Sequence, residues 1–268
     1  MVVHNSLTRP LAVVTGASSG IGYELAKQFA RNGFDLLVTS TGSTIDDAAQ
    51  TFKGLGAQVE TVQADLATYD GVETLYSKIK ETNRPVDAIA INAGVGVGGE
   101  FTKTDLQEEL NLIELNVAST VHLAKRVVKD MVDRGRGRIL FTSSIAALMP
   151  GPFEAVYAAS KAFLQSFSQA LRNELKDSGV TVTALMPGPT DTNFFHRADM
   201  DDTKAGASKK DDPAEVAKQG FEALMADKDS IIAGSLATKI QGTASQILPD
   251  TVSAEMHRQL TEPGSAKK

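Results

Sequence analysis

The sequence predicts an α/β chain: one domain built on a doubly wound parallel sheet of about seven strands, with helices on both faces. Two observations carry this. The runs LAVVT, FDLLVT, AQVETV, DAIAIN, GRILFTS, TVTALM and SIIAG are short and continuously or almost continuously apolar. Strands sandwiched between helical layers read this way because both of their faces are buried. Between the runs lie segments with apolar residues at helical spacing, and an alternation repeated this often predicts parallel strands joined by right-handed crossovers.

Taken in order, the first strand begins at Leu11 and runs straight into TGASSGIG, Thr15 to Gly22, inside which a helix starts. Ile21, Leu25, Ala26 and Phe29 give that helix its apolar face. Leu75 and Ile79 mark another helix before DAIAIN, and RGRGR reads as a helix end entering GRILFTS. Phe163, Phe167, Leu171 and Leu175 follow YAASK at helical spacing, and a helix from about Pro213 precedes SIIAG. The polar stretch His196 to Pro213 is long for a connection in a compact fold and is read as a lid-like loop over a site. Two further helical segments occupy 236–260, where Leu236, Ile240, Ile247, Leu248, Val252, Met256 and Leu260 offer apolar surface to the body or to a partner. The domain is therefore expected to span 9–260, with 1–8 and 261–268 as loose tails.

Composition narrows the function. Hydrophobic residues at 42% and charged residues at 22% of 268 describe an ordinary globular chain. A net charge of -6 argues against a nucleic-acid partner, which would demand clustered Lys and Arg. Zero cysteines exclude disulfides and thiolate chemistry, and His4, His122, His196 and His257 have no ligand-like spacing, so no metal is expected. No apolar run reaches the roughly 18 to 20 residues of a membrane span. The N-terminus also lacks a secretory pattern, and a cytoplasmic location is expected.

In TGASSGIG the glycines let backbone approach a pyrophosphate, while free N–H groups and the helix dipole favour its charge. The same letters contain GASSG, the GxSxG of serine hydrolases, which would make Ser18 a nucleophile. That elbow normally follows several strands, whereas this one follows the first. A second pair raises its own ambiguity: Tyr157 and Lys161 in YAASK stand one helical turn apart, but so do Tyr23 with Lys27 and Tyr76 with Lys80. Tyr157 alone has Ser144 thirteen residues upstream, at the end of a strand, and alone opens a helix after the proline-rich MPGPF.

TGASSGIG, Asp65 in ADL, NAG at Asn92 to Gly94, Asn116, Ser144, YAASK and PGPTDT from Pro187 to Thr192 occur in an order and spacing that resembles the short-chain dehydrogenase/reductase family, over about residues 9–235. The resemblance implies a Rossmann-type fold and an oxidoreductase that moves a hydride between a nicotinamide cofactor and a carbonyl or secondary alcohol. It implies that Gly16, Ser18, Ser19, Gly20, Ile21 and Gly22 hold the phosphates, that Asp65 and Leu66 meet the adenine, and that Asn92, Ala93 and Gly94 line the adenosine side. Pro187, Gly188, Thr190 and Thr192 would contact the carboxamide. Tyr157 would be the acid in reduction and base in oxidation, its phenolate favoured by the charge on Lys161, with Ser144 orienting the substrate oxygen. Lys161 would also hold the nicotinamide ribose, and Asn116 would anchor a water leading to it.

Ser40 and Thr41 follow the second strand, where an acid would repel a 2'-phosphate. The missing acid and the hydroxyls of Ser18, Ser40, Thr41 and Ser43 favour NADP, with NAD as the alternative. Substrate contacts are expected from Ser144, Tyr157, the loop Ala146 to Phe153, the GVGVGGE stretch from Gly94, and Phe194 with Phe195; Met149, Phe153 and the Phe pair suggest an apolar wall. The expected partner is a small carbonyl or alcohol. The chain lacks the DGG motif that closes many members, yet the helix from Tyr157 faces a second subunit in many relatives, which implies a homo-oligomer, dimer or tetramer. The rival readings are a catalytically silent dinucleotide sensor and a serine hydrolase.

Overall fold

The computed structural model describes residues 9–267. Seven strands form one sheet: β1 (Leu11–Thr15), β2 (Asp35–Ser40), β3 (Val59–Gln63), β4 (Val86–Ile91), β5 (Gly137–Thr142), β6 (Val180–Pro187) and β7 (Ser230–Ala233). Their order is β3-β2-β1-β4-β5-β6-β7, with every pair parallel. The doubly wound fold expected from the sequence is thus present. The chain builds outward from β1 to β3, then crosses to β4 on the other side, which opens a crevice beyond the carboxyl ends of β1 and β4.

Because strand side chains alternate between faces, each apolar run feeds two cores. Ala12, Val14, Leu36, Val38, Ala88, Ala90 and Leu140 face one layer of helices: α1 (Gly20–Arg31), α2 (Thr44–Gly54) and the later α9 (Pro213–Met225). Leu11, Val13, Leu37, Ile89, Ile91, Ile139 and Phe141 face the opposite layer: α3 (Tyr69–Glu81), α5 (Ser119–Arg134) and α6 (Ala155–Glu174). Phe29 is fully buried between Phe34 and Phe221, both edge-on to its ring. Truncating such a side chain to alanine costs about 3–5 kcal/mol.

Helix α4 (Leu106–Ile113) passes into α5 through a single π turn, Glu114–Ala118, which carries Asn116. One-turn π insertions of this kind often mark functional positions. The stretch 196–213 is not a bare loop, because α7 (Phe194–Arg197) and α8 (Lys204–Ala207) lie at or within it and Phe195, Ala198, Met200 and Ala205 form a small core of their own.

The C-terminal segment forms α10 (Leu236–Ser245) and α11 (Asp250–Thr261), followed by a 3-10 turn, Ser265–Lys267. One expectation changes here. Residues 262–267 are docked rather than loose: Gly264 N donates to Asp202 Oδ2 (2.8 Å), Ala266 N to the Asp202 carbonyl (3.0 Å), and Lys204 N to the Ser265 hydroxyl (2.9 Å). The tail sequence has no apolar pattern, so these polar contacts leave no trace in periodicity. The tail expected at 1–8, and Lys268, lie outside the described residues. Of the apolar residues of 236–260, Leu260 packs on the body beside Phe195, whereas Leu236, Ile240, Ile247, Val252 and Met256 are exposed; the two helices also meet the body through Thr238, Gly242, Ser253, His257 and Thr261.

Candidate active site

The glycine loop joins the carboxyl end of β1 to α1. Gly16 has φ +67°, a left-handed conformation that glycine adopts without strain. A Cβ on Gly22 would collide with the Gly16 carbonyl oxygen and the Asn92 amide, so the loop can close on itself only with glycine there. Asn92 ties three strand ends together: its Nδ2 donates to the Thr15 carbonyl (3.1 Å) and its Oδ1 accepts from Thr142 Oγ1 (3.0 Å). Thr15 Oγ1 accepts in turn from the N–H groups of Asn92 (2.9 Å) and Ala93 (3.0 Å).

One cleft of about 470 Å³ runs from this loop across the sheet. At one end stand Ser18, Ser19, Ser40, Thr41, Asp65 and Leu66, and Asp65 Oδ1 accepts from Ala67 N (3.0 Å), closing a tight turn before α3. Gly20, Ile21, Asn92, Ala93 and Gly94 line its floor, and Pro187, Gly188, Thr190 and Thr192 its far wall. Every residue expected from the sequence to touch the cofactor lines this cleft except Gly22, which shapes the loop from behind, and Ser43, which lies outside the lining at the start of α2.

Tyr157 and Lys161 lie one turn apart on α6, both buried, with the Lys161 Nζ 5.7 Å from the phenol ring centre. The Nζ donates to the Thr142 carbonyl (3.0 Å) at the end of β5. Ser143 donates to the Lys161 carbonyl (2.8 Å) and so faces the helix, while the Ser144 hydroxyl donates to the Pro187 carbonyl (3.4 Å), accepts from Ala146 N (3.1 Å) and stands beside the Tyr157 phenol. The two neighbouring serines are thereby separated by their partners. Asn116 accepts from Val95 N (3.0 Å) and donates to the Val95 carbonyl (2.9 Å) and to Ser160 Oγ (3.1 Å), clasping the strand after β4 to α6. Both of its side-chain donor hydrogens are engaged with the protein.

Burial dominates the electrostatics of the pair. It pushes the Tyr157 phenol well above its ordinary value, the negative charge of Glu154 adds to the rise, and the Ser144 hydroxyl only partly opposes it. Burial likewise pushes Lys161 down to about 8, and its ammonium donates to the Thr142 carbonyl. The phenol is accordingly held in its acid form.

The other tyrosine–lysine pairs are occupied elsewhere. Tyr23 packs on Phe52 while Lys27 pairs with Glu24 (2.8 Å), and Tyr76 and Lys80 both bond Asp130. Among the described residues Ser18 shares no hydrogen bond with a histidine, which leaves the hydrolase reading without a base.

At the substrate end Phe194 packs 5.1 Å from the Tyr157 ring, with Phe195 and Met149 beside it. Phe153 is not part of this wall. Its φ of +63° turns the ring away from the cleft and beneath the Arg258 guanidinium (5.0 Å). Beyond Val95 the glycine-rich stretch is also covered, Gly96 by Phe194 and Gly98 by Met200. The sequence missed Glu154, Gln241, His257, Leu260 and Thr261, all of which line the cleft. Glu154 precedes Tyr157 by three residues, but nothing in its spacing announces a contact with a helix about a hundred residues away.

Comparison with known proteins agrees with this geometry. The model of the short chain dehydrogenase family matches residues 10–203. Oxidoreductase UcpA of Salmonella typhimurium is 31% identical over 248 residues, 91% of this chain and 92% of the relative. Among solved structures, a short-chain dehydrogenase from Sphingobium yanoikuyae in complex with NADPH superposes with a TM-score of 0.78 at 30% identity, covering 83% of this chain and 87% of the other. A bulky-bulky ketone specific alcohol dehydrogenase from Comamonas testosteroni gives 0.76 at 25% identity, with 89% and 91% covered.

Proposed function

The chain belongs to the short-chain dehydrogenase family of oxidoreductases, and from that premise we propose that it is an NADPH-dependent carbonyl reductase whose catalytic residues are Asn116, Ser144, Tyr157 and Lys161. The observation that carries this reading is the convergence of Tyr157, Ser144 and Lys161 at the end of a cleft that begins in a glycine loop. The loop's tight turn at Gly16 and the close approach around Gly22 suit a dinucleotide pyrophosphate, and Gly94 leaves open the space beside Lys161 Nζ and Asn116 Oδ1.

Nicotinamide supplies the hydride when bound. What the protein must do is stabilise the charge that grows on the carbonyl oxygen and then protonate it. Tyr157, held protonated by burial, donates that proton, and Ser144 donates the second hydrogen bond to the same oxygen. Lys161, pushed down to about 8, exchanges protons near neutral pH and would hold the nicotinamide ribose. Asn116 keeps the floor of the site rigid by fixing Val95 to Ser160.

The preference for NADP rests on Ser40 and Thr41, which present hydroxyls and no carboxylate at the adenosine end, and the NADPH-bound relative supports it. The stretch 196–213 acts as the lid, and α6 with the exposed Phe163 supplies a face for a homo-oligomer. Among the described residues no helix is long and apolar enough to cross a membrane.

Titration with NADPH and NADH, followed through nicotinamide fluorescence because the chain has no Trp, tests the cofactor. NADPH is expected to bind at least tenfold more tightly. A broad panel of ketones and aldehydes then tests turnover. Binding without turnover would leave the silent dinucleotide sensor, and binding of neither cofactor would refute the reductase.

A further inference from the structure

The substrate end of the cleft contains a buried polar pair that the hydride chemistry above does not use. Glu154 and His257 are 6% and 7% exposed, and His257 Nε2 donates to Glu154 Oε2 at 3.1 Å. One comes from the loop before α6 and the other from α11, and both line the cleft. Among the described residues neither side chain has another hydrogen bond, so Glu154 Oε1 and His257 Nδ1 are unengaged in a wall that mixes the apolar Met149, Phe194, Phe195 and Leu260 with Gln241 and Thr261.

The two unengaged atoms belong to residues that line the cleft, where a bound molecule can reach them. The fold fixes the pair here by several contacts. Phe153 adopts φ +63°, an uncommon conformation for a bulky residue, immediately before Glu154. Its carbonyl is held by Gly99 N (2.8 Å), and Arg258 stacks over its ring. Thr261 donates to the Pro152 carbonyl (2.8 Å), so α11 is fastened to the loop beside the pair. Glu154 also lies near enough to the Tyr157 phenol for its charge to act on it directly. A group that donates a hydrogen bond to Glu154 while its neighbour receives the Tyr157 proton must therefore sit close to the reacting carbonyl.

We propose that Glu154 and His257 form the polar recognition pair of the substrate pocket, selecting carbonyl substrates that carry a hydroxyl on the carbon next to the carbonyl. The hydroxyl donates to Glu154 Oε1, and His257 holds the carboxylate in place from the other side. The corresponding products are vicinal diols. The apolar side chains of the wall then accept the hydrocarbon part of the molecule. This inference rests on the reductase reading and adds the substrate class to it.

The test compares 2-hydroxyacetophenone with propiophenone, which differ only by a hydroxyl against a methyl beside the carbonyl carbon's neighbour. Each is titrated calorimetrically into the full chain saturated with NADP+, which cannot reduce them. The hydroxy ketone is expected to bind tenfold or more tightly, as hydrogen bonds to a charged group allow. The ratio should fall to about threefold in Glu154→Gln and to about one in Glu154→Met. Met256→Ser, an exposed substitution on the same helix, should keep the wild-type ratio and so control for disturbance of α11. Equal affinities in the wild type, an unchanged ratio in Glu154→Met, or binding of neither ketone to the NADP+ complex would overturn the proposal. Failure to bind NADP+ at all would instead strike the reductase reading on which it rests.

Discussion

Lys161→Met should make the cofactor-free protein more stable at neutral pH and less stable at high pH. The lysine is buried and pushed down from 10.5 to about 8 by the loss of hydration. At about 1.4 kcal/mol per pH unit, that drop corresponds to a penalty of about 3 kcal/mol for holding the charged form in the fold. Below pH 8 the folded and unfolded states both carry the proton, and the whole penalty is felt. Between about 8 and 10.5 the unfolded state alone holds it, so the wild type gains stability as pH rises. Methionine has no such penalty but loses the hydrogen bond from Nζ to the Thr142 carbonyl, worth about 1.5 kcal/mol. The variant should therefore be about 2 kcal/mol more stable at pH 7, and the sign should reverse by about pH 10.5. Urea unfolding followed by far-ultraviolet circular dichroism at pH 7, 8.5 and 10 measures the difference, and groups that titrate in both proteins cancel. A stability difference that is flat across this range would refute the reasoning, because altered packing alone carries no pH dependence.

Tyr157→Phe should lower turnover by about 10² to 10⁴-fold while leaving NADPH affinity near the wild-type value, as steady-state rates and a fluorescence titration would show. Because the Tyr157 phenol sits above its ordinary value, alcohol oxidation, which needs the phenolate, should keep accelerating into alkaline pH, whereas reduction should hold steady through neutrality. Glu154→Gln removes one of the causes of that rise, so the oxidation limb should move to lower pH; a limb that stays in place would contradict it. Gly22→Ala should weaken dinucleotide binding tenfold or more in a chain whose circular dichroism stays native, since the added methyl meets the Gly16 carbonyl. Thr41→Asp should reduce the ratio of kcat/KM for NADPH over NADH at least tenfold by setting a carboxylate against the 2'-phosphate.

The sheet was legible because its strands are buried on both sides and therefore spell themselves as unbroken apolar runs; all seven appear within a residue or two of where those runs lie. The cofactor end was legible for a related reason, since the glycine loop and NAG meet the ligand through backbone, and backbone demands show in composition. Tyr157, Ser144 and Lys161 could be singled out among competing pairs because the strand and helix that carry them are local to them. The substrate end was not legible in this way. Glu154 meets His257 across a contact between the middle and the end of the chain, and Phe153 faces away because of a backbone angle that no letter records. The docking of α11 was hidden for a further reason: apolar periodicity finds the face that is usually buried, and this helix buries Ser253, His257 and Thr261 with Leu260 while leaving Val252 and Met256 exposed.

That largely polar face has an evolutionary reading. The catalytic sheet is cemented by interlocked hydrocarbon that tolerates little alteration, whereas the helix that completes the specificity pocket is fastened by a few directional contacts at Pro152, Glu154 and Phe153. Exchanging three or four side chains on α11 would redraw the pocket without disturbing the sheet, so new substrates can be sampled by a scaffold that keeps its hydride chemistry intact.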